Sequence, residues 1–222
     1  MEISYFTLND TPFEHDETVI AVFTDNSGEV AVQCADVLTD FCTEFTKRFI
    51  SDVLSKEARD FALDHALKNI CFYDKLTSTA DSGKIIVDCA CCSASPKSSN
   101  AILLSGSEIY PTALEDIKLG AENGYICYGI VIDNKVVSAA YTFMSESDID
   151  TEVEIGVETL PAYRGMGYAS QCVCALTKHL ADKGIAVYYS YYEENSASKN
   201  LAEKCGFKAF SRGFEIVLRK EK

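Results

Sequence analysis

The feature that most constrains the fold is a strand-like segment that passes through a glycine-containing turn into a helix-like one. Residues 151–158, TEVEIGVE, alternate in polarity, with Val153, Ile155 and Val157 on one face, and this period of two predicts a β-strand. After the turn PAYRGMG, apolar residues at steps of three and four predict an amphipathic helix; they are Ala162, Met166, Ala169, Val173, Leu176 and Leu180. Two glycines and an arginine therefore lie where a strand becomes a helix.

This turn has the composition of an anion-binding site. The first turn of a helix carries backbone N–H groups without intrahelical partners, and the helix dipole adds partial positive charge there. Gly165 and Gly167 leave this backbone uncovered, and Arg164 adds a permanent charge. The spacing differs from the GxGxxG of dinucleotide folds and from the P-loop pattern. Taken alone, the glycines are equally compatible with a plain helix start.

Two motifs together give the chain a resemblance to a known family. Arg-x-x-Gly-x-Ala, from Arg164 to Ala169, resembles the coenzyme A pyrophosphate loop of the GNAT superfamily of N-acetyltransferases. The segment NSASKNLAEKCGF, from Asn195 to Phe207, resembles the superfamily's second signature, in which an asparagine opens a helix that ends in Gly-Phe. The resemblance covers about residues 107–219 and is strongest to bacterial members with an extra N-terminal segment.

The resemblance implies a fold and a domain organisation. We expect an α/β (α+β) protein with a GNAT-like mixed, mostly antiparallel sheet flanked by helices, and a smaller N-terminal α/β segment. The predicted boundaries are an N-terminal domain at residues 1–99, with a role in substrate specificity, and an acetyltransferase domain at residues 100–222. The polar segment 93–100, SASPKSSN, is the predicted linker.

Local turn and cap signals add detail to this organisation. Asn26-Ser27-Gly28 predicts a turn between two strands, and Asp133-Asn134 predicts a tight hairpin. Ser51 and Ser55 predict a break that divides the helical segment 36–70 into two helices.

Acetyl-CoA is the cofactor that the resemblance implies. Its pantetheine arm would extend the strand through the backbone of Val157 and Thr159, and Asn195 would reach the pantetheine side while also capping its helix. By the same resemblance, the pyrophosphate would contact Arg164, Gly165, Met166, Gly167, Tyr168, Ala169 and Ser170.

Direct transfer to a primary amine in a ternary complex is the activity that follows. A base must deprotonate the ammonium group, and Glu152 and Glu154 share one face of the strand, where burial near a cleft would suit that task. Both are equally compatible with ordinary solvated carboxylates.

The leaving thiolate also needs a proton donor. Many family members have a tyrosine seven residues after the asparagine, where this chain has Ala202. Tyr191, on the adjoining predicted strand, is the candidate acid among Tyr188, Tyr189, Tyr191 and Tyr192, although such tyrosines also serve in packing. The missing tyrosine keeps open an alternative function, a non-catalytic acyl-CoA-binding sensor or interaction module on the same scaffold.

Composition restricts the partners. A formal charge of −14 over 222 residues disfavours nucleic acid and is compatible with a cationic amine substrate or with solubility alone. The sequence contains no apolar run of the length of a membrane span and no secretory signal pattern, so a cytoplasmic protein is expected. The ten cysteines are irregularly spaced, and the lone pair Cys89 and Cys92 supplies too few ligands for zinc, so no metal is predicted. A homodimer is left open.

Overall fold

The structure, a computed structural model, describes residues 2–6, 17–69, 76–80, 84–88 and 99–220. The predicted Cys89–Cys92 pair and residues 93–98 of the predicted linker lie outside the described residues. In chain order the strands and helices are β1 (Glu2–Phe6), β2 (Glu17–Asp25), β3 (Val30–Ala35), α1 (Thr39–Phe49), α2 (Lys56–Asn69), β4 (Leu76–Ala80), β5 (Lys84–Asp88), β6 (Ile102–Leu103), α3 (Glu115–Glu122), β7 (Tyr125–Ile132), β8 (Lys135–Ser145), β9 (Glu152–Thr159), α4 (Tyr168–Asp182), β10 (Ala186–Tyr192), α5 (Ser196–Cys205) and β11 (Lys208–Lys220).

The chain divides into two compact units. The first comprises Met1–Ile85, Tyr192–Glu194 and Phe210–Lys222, and the second comprises Ile86–Tyr191 and Asn195–Ala209. Most of β11 thus belongs to the first unit although it follows the second in sequence. The domain boundaries 1–99 and 100–222 stay a prediction.

The first unit is a sheet covered by two helices. Its strands follow the order β1-β3-β2-β11-β4, in which only the pair of β1 and β3 is parallel. The core between sheet and helices is aromatic: Phe45 of α1 lies 5.0 Å from Phe41 and 6.4 Å from Phe214 of β11, measured between ring centroids. Such rings supply much of the apolar burial that a unit of this size needs.

The local predictions for the first unit are confirmed. Gly28 takes a φ of 84° in the turn between β2 and β3. A hydrogen bond from the Ser27 side chain, followed by one from the backbone of Glu29, lowers the pKa of the Asp25 carboxyl in this turn. The helical segment breaks where expected, because Ser55 Oγ accepts a 3.2 Å hydrogen bond from the Ala58 amide in the first turn of α2.

Gly213 is a point at which the first unit tolerates no side chain. It lies in β11 opposite Phe23, and a Cβ there would stand 2.2 Å from the Val22 carbonyl oxygen and 2.3 Å from the Phe23 ring. Because backbone must move to relieve such a contact, we expect Gly213→Ala to lower the free energy of unfolding by roughly 2–4 kcal/mol. Urea unfolding checks this, with the exposed neighbour Arg212→Ala as control; equal midpoints for the two variants would refute the expectation.

The second unit is a sheet with a helix on each face. Its strands follow the order β10-β9-β8-β7-β6, and all neighbours are antiparallel except β9 and β10. Ala139 of β8 packs in a cluster with Ile117 of α3, whereas the hydroxyl of the preceding residue, Ser138, accepts a hydrogen bond from the Cys172 thiol of α4. Since neighbouring residues of a strand point to opposite faces, α3 and α4 cover opposite faces.

The predicted fold class is confirmed, as is the hairpin of the second unit. Asp133 and Asn134 have φ values of 48° and 60°, the paired positive values of a tight hairpin turn. Gly206, with a φ of 88°, follows α5 where the predicted Gly-Phe ending lies, and Gly184, with a φ of 77°, follows α4 in the same way. Among the described residues, the structure contains no helix long and apolar enough to cross a membrane.

The predicted start of α4 is wrong. The apolar stripe included Ala162 and Met166, yet both precede the helix, which begins at Tyr168, and both are exposed. Residues 161–163 form a separate 3-10 turn, and the positive φ values of Gly165 and Gly167 interrupt any continuous helix.

Candidate functional site

The site is built around the point where two parallel strands separate. β9 and β10 pair at only three positions, Ala186 with Glu152, Val187 with Val153 and Tyr188 with Glu154. On its other edge β9 stays paired with β8 as far as Thr159. Beyond Glu154, the β10-facing edge of β9 has no strand partner among the described residues. An edge of this kind accepts an extended ligand through main-chain hydrogen bonds.

A cleft of about 570 Å³ lies at this opening, within the second unit. It is lined by the end of β9, the turn before α4, the first turn of α4 and one face of α5. The lining residues are Val157, Glu158, Thr159, Tyr163, Arg164, Gly165, Gly167, Tyr168, Ala169, Ser170, Asn195, Ala197, Ser198, Asn200, Leu201 and Lys204. The structure therefore brings together all the predicted cofactor-binding residues except Met166, whose side chain is 56% exposed and outside the cleft lining.

The glycine turn leaves its backbone open to the cleft. Gly165 and Gly167 have φ values of 77° and 78°, which other residues rarely adopt. No atom lies within 4 Å of a Cβ placed on Gly165, and the nearest atoms to one on Gly167 are Lys204 Nζ at 3.8 Å and Ser170 Oγ at 3.9 Å. Because Gly167 caps α4, the amides of the first helical turn lie next to this open space.

Arg164 and Asn195 are each held by the backbone. The Nε of Arg164 donates a 3.2 Å hydrogen bond to the Thr159 carbonyl, which fixes the guanidinium across the turn and leaves its other donors for a ligand. Asn195 Oδ1 accepts a 3.1 Å hydrogen bond from the Ser198 amide, which confirms the predicted N-cap of α5. The Asn195 side-chain amide nitrogen is not used by this cap.

The predicted catalytic residues fall outside the cleft lining. Glu154 is half-buried at the last β9–β10 pair and accepts a hydrogen bond from Ser190 Oγ of β10. Glu152 is exposed and two residues further from the opening. Tyr191 is 7% exposed, and its ring packs 6.2 Å from that of Tyr189. Of the three, Glu154 is thus the group nearest to the separation of the strands.

Sequence reasoning missed three groups at the opening. Glu158 shares the strand face of Glu154 and lines the cleft. The Tyr141 ring covers Gly156, where a Cβ would stand 2.6 Å from Cζ. Burial, followed by the charge of Glu158, raises the pKa of Tyr141 to about 12. Extending the alternation of the strand would have found Glu158, whereas Tyr141 depends on the register of β8 against β9.

Tyr189 is the third such group. It is 8% exposed and packs 6.1 Å from the Phe207 ring. Burial raises the pKa of Tyr189, against the lowering effect of its hydrogen bond with Ser198. Ser198 itself lines the cleft. The position at which many relatives have a tyrosine, Ala202, is 2% exposed and has no hydroxyl.

The sheet order, the separated strand pair and the glycine turn define a GNAT-like fold. A family model described as GNAT acetyltransferase matches residues 107–212. This segment of the chain thus matches the GNAT acetyltransferase family.

Three solved structures are similar to this chain, and the first of them supports the fold. A putative GNAT acetyltransferase from Novosphingobium aromaticivorans DSM 12444 is 20% identical, with 67% of this chain and 69% of that chain covered and a TM-score of 0.52. A GNAT acetyltransferase from Colwellia psychrerythraea is 14% identical, with 91% and 81% covered and a TM-score of 0.48. The aminoglycoside N-acetyltransferase AAC(6')-Iy, solved in complex with CoA, is 20% identical, with 43% and 78% covered and a TM-score of 0.35. No curated protein is similar enough to be counted as a relative.

Proposed function

We propose that the chain transfers an acetyl group from acetyl-CoA to a primary amine by direct attack in a ternary complex. The observation that carries the proposal is the separation of β9 from β10 beside an uncovered helix start, within one cleft. The strand edge suits a pantetheine arm, and the helix start suits a diphosphate.

The cofactor would lie along β9 and end at α4. The backbones of Val157 and Thr159 line the cleft on the β9 side and would hold the pantetheine amides. The free amides of the first turn of α4 and the Arg164 guanidinium would hold the diphosphate. This arrangement directs the thioester toward the point where the strands separate.

The acceptor amine would approach the acidic face of β9. Glu152, Glu154 and Glu158 alternate along the face opposite to α4, so they attract an ammonium group. Glu154 would take a proton from this group, because it is half-buried, hydrogen-bonded to Ser190 and closest to the opening. The nitrogen then bonds to the acetyl carbonyl carbon, and backbone N–H groups of β9 stabilise the oxyanion.

Collapse of this intermediate breaks the carbon–sulfur bond; the nitrogen loses its second proton to give the amide, and the CoA thiolate takes up one proton to give the thiol, so the net proton released is the one that Glu154 accepted. Tyr191 is the predicted donor, and the hydroxyl of Tyr189, whose pKa is influenced by the cleft-lining Ser198, is a second candidate. Its raised pKa keeps that hydroxyl protonated at neutral pH, as an acid requires.

Because Ala202 has no hydroxyl to act as an acid, it favours one other function, a non-catalytic acyl-CoA-binding module. The experiment that separates the two follows free thiol after the full chain is mixed with acetyl-CoA and a panel of polyamines, aminoglycosides and lysine peptides. Catalysis predicts amine-dependent thiol release and an acetylated amine by mass spectrometry. Measurable acetyl-CoA binding without release from any amine would favour the binding module, and no binding would refute both.

A further inference from the structure

Lys204 is a cation that the proposed function has not yet used. It lies in the last turn of α5 and lines the cleft, and its Nζ is 3.8 Å from a Cβ placed on Gly167. Its ammonium group has no hydrogen bond or ion pair with any residue in the described part of the chain. Among the described lysines of this unit, Lys204 is distinguished by its place in the cleft lining.

Lys204 lies between two helix ends of opposite polarity, the C-terminal turn of α5, which favours a cation, and the N-terminus of α4. Gly167 caps the N-terminus of α4, where the helix dipole already places positive charge. The first amides of α4 and the ammonium group of Lys204 together attract an anion. The chain carries a formal charge of −14, yet no carboxylate among the described residues pairs with this lysine.

We infer that Lys204 is a second cation, besides Arg164, that binds the diphosphate of acetyl-CoA. The inference rests on the proposed function, because it assigns a residue within the same cleft. A diphosphate oxygen at hydrogen-bonding distance from the first amides of α4 would also lie within reach of Lys204 Nζ. The lysine would therefore favour nucleotide-bearing thioesters over pantetheine thioesters, which lack the diphosphate.

The test measures dissociation constants by calorimetry for the full chain and three variants. Lys204→Ala removes the charge, Lys204→Arg keeps it, and Lys199→Ala removes one equal charge from an exposed position of the same helix outside the cleft lining. The ligands are acetyl-CoA, its 3′-dephospho form and S-acetylpantetheine, which together separate the diphosphate from the 3′-phosphate.

The expected result is a Kd for acetyl-CoA about tenfold higher in Lys204→Ala, with Lys204→Arg and Lys199→Ala close to the unmodified chain. The same loss is expected with the 3′-dephospho form, and none with S-acetylpantetheine. Equal effects of Lys204→Ala and Lys199→Ala on the Kd would overturn the inference about Lys204 but not the proposed function. A loss of affinity confined to ligands with the 3′-phosphate would do the same. If the unmodified chain does not bind acetyl-CoA, the proposed function fails first.

Discussion

Replacing Gly167 by aspartate is expected to raise the Kd for acetyl-CoA by about 100-fold or more. The new carboxylate would stand beside the first amides of α4, in the space that the proposal gives to the diphosphate. Like charges placed together in a binding site cost several kcal/mol, and each 1.4 kcal/mol is tenfold in affinity. Titration calorimetry with acetyl-CoA measures the change.

The control for this variant is Gly184→Asp. Gly184 has nearly the same positive φ, 77° against 78°, and also has open space around its Cα, but it follows the opposite end of α4. Backbone strain is therefore matched, while the cleft is untouched. Equal affinity of the two variants for acetyl-CoA would contradict the proposal that the diphosphate binds at the first turn of α4.

Glu154→Gln is expected to lower kcat about 100-fold while the Kd for acetyl-CoA stays unchanged. The substitution keeps the shape of the side chain and its contact with Ser190 but removes the proton acceptor. The deficit should shrink as pH rises toward the pKa of the amine, because more of the substrate then arrives deprotonated. Steady-state kinetics across this pH range measures both effects.

A matched variant tests whether the effect belongs to the site. Glu203→Gln removes the same charge from an exposed position of α5 outside the cleft lining, and kcat should be unaffected. A normal kcat for Glu154→Gln, or a kcat deficit that does not change with pH, would show that Glu154 is not the base.

Much of the fold could be predicted because short-range signals determine it. Asp133-Asn134 forms a hairpin since both residues tolerate positive φ, and Asn195 and Gly206 delimit α5 through side-chain capping and a left-handed stop. The glycine turn was located correctly because its chemistry depends on consecutive residues.

The sequence does not predict features that depend on tertiary contacts. Met166 fits a helical period, but the left-handed Gly167 after it ends that continuity, so its side chain is exposed. Tyr141 and Lys204 reach the site only through strand register and the packing of α5 beside α4, which no local pattern encodes. The role of Tyr191 as the acid stays a prediction, since its place at the strand end was the only reason for choosing it.

The most direct test is a crystal structure of the full chain grown with acetyl-CoA. The proposed function predicts diphosphate oxygens about 3 Å from the backbone nitrogens of the first turn of α4. The pantetheine arm should lie along the open edge of β9, with the thioester near Glu154. A cofactor bound elsewhere, or one whose diphosphate makes no contact with those amides, would contradict it.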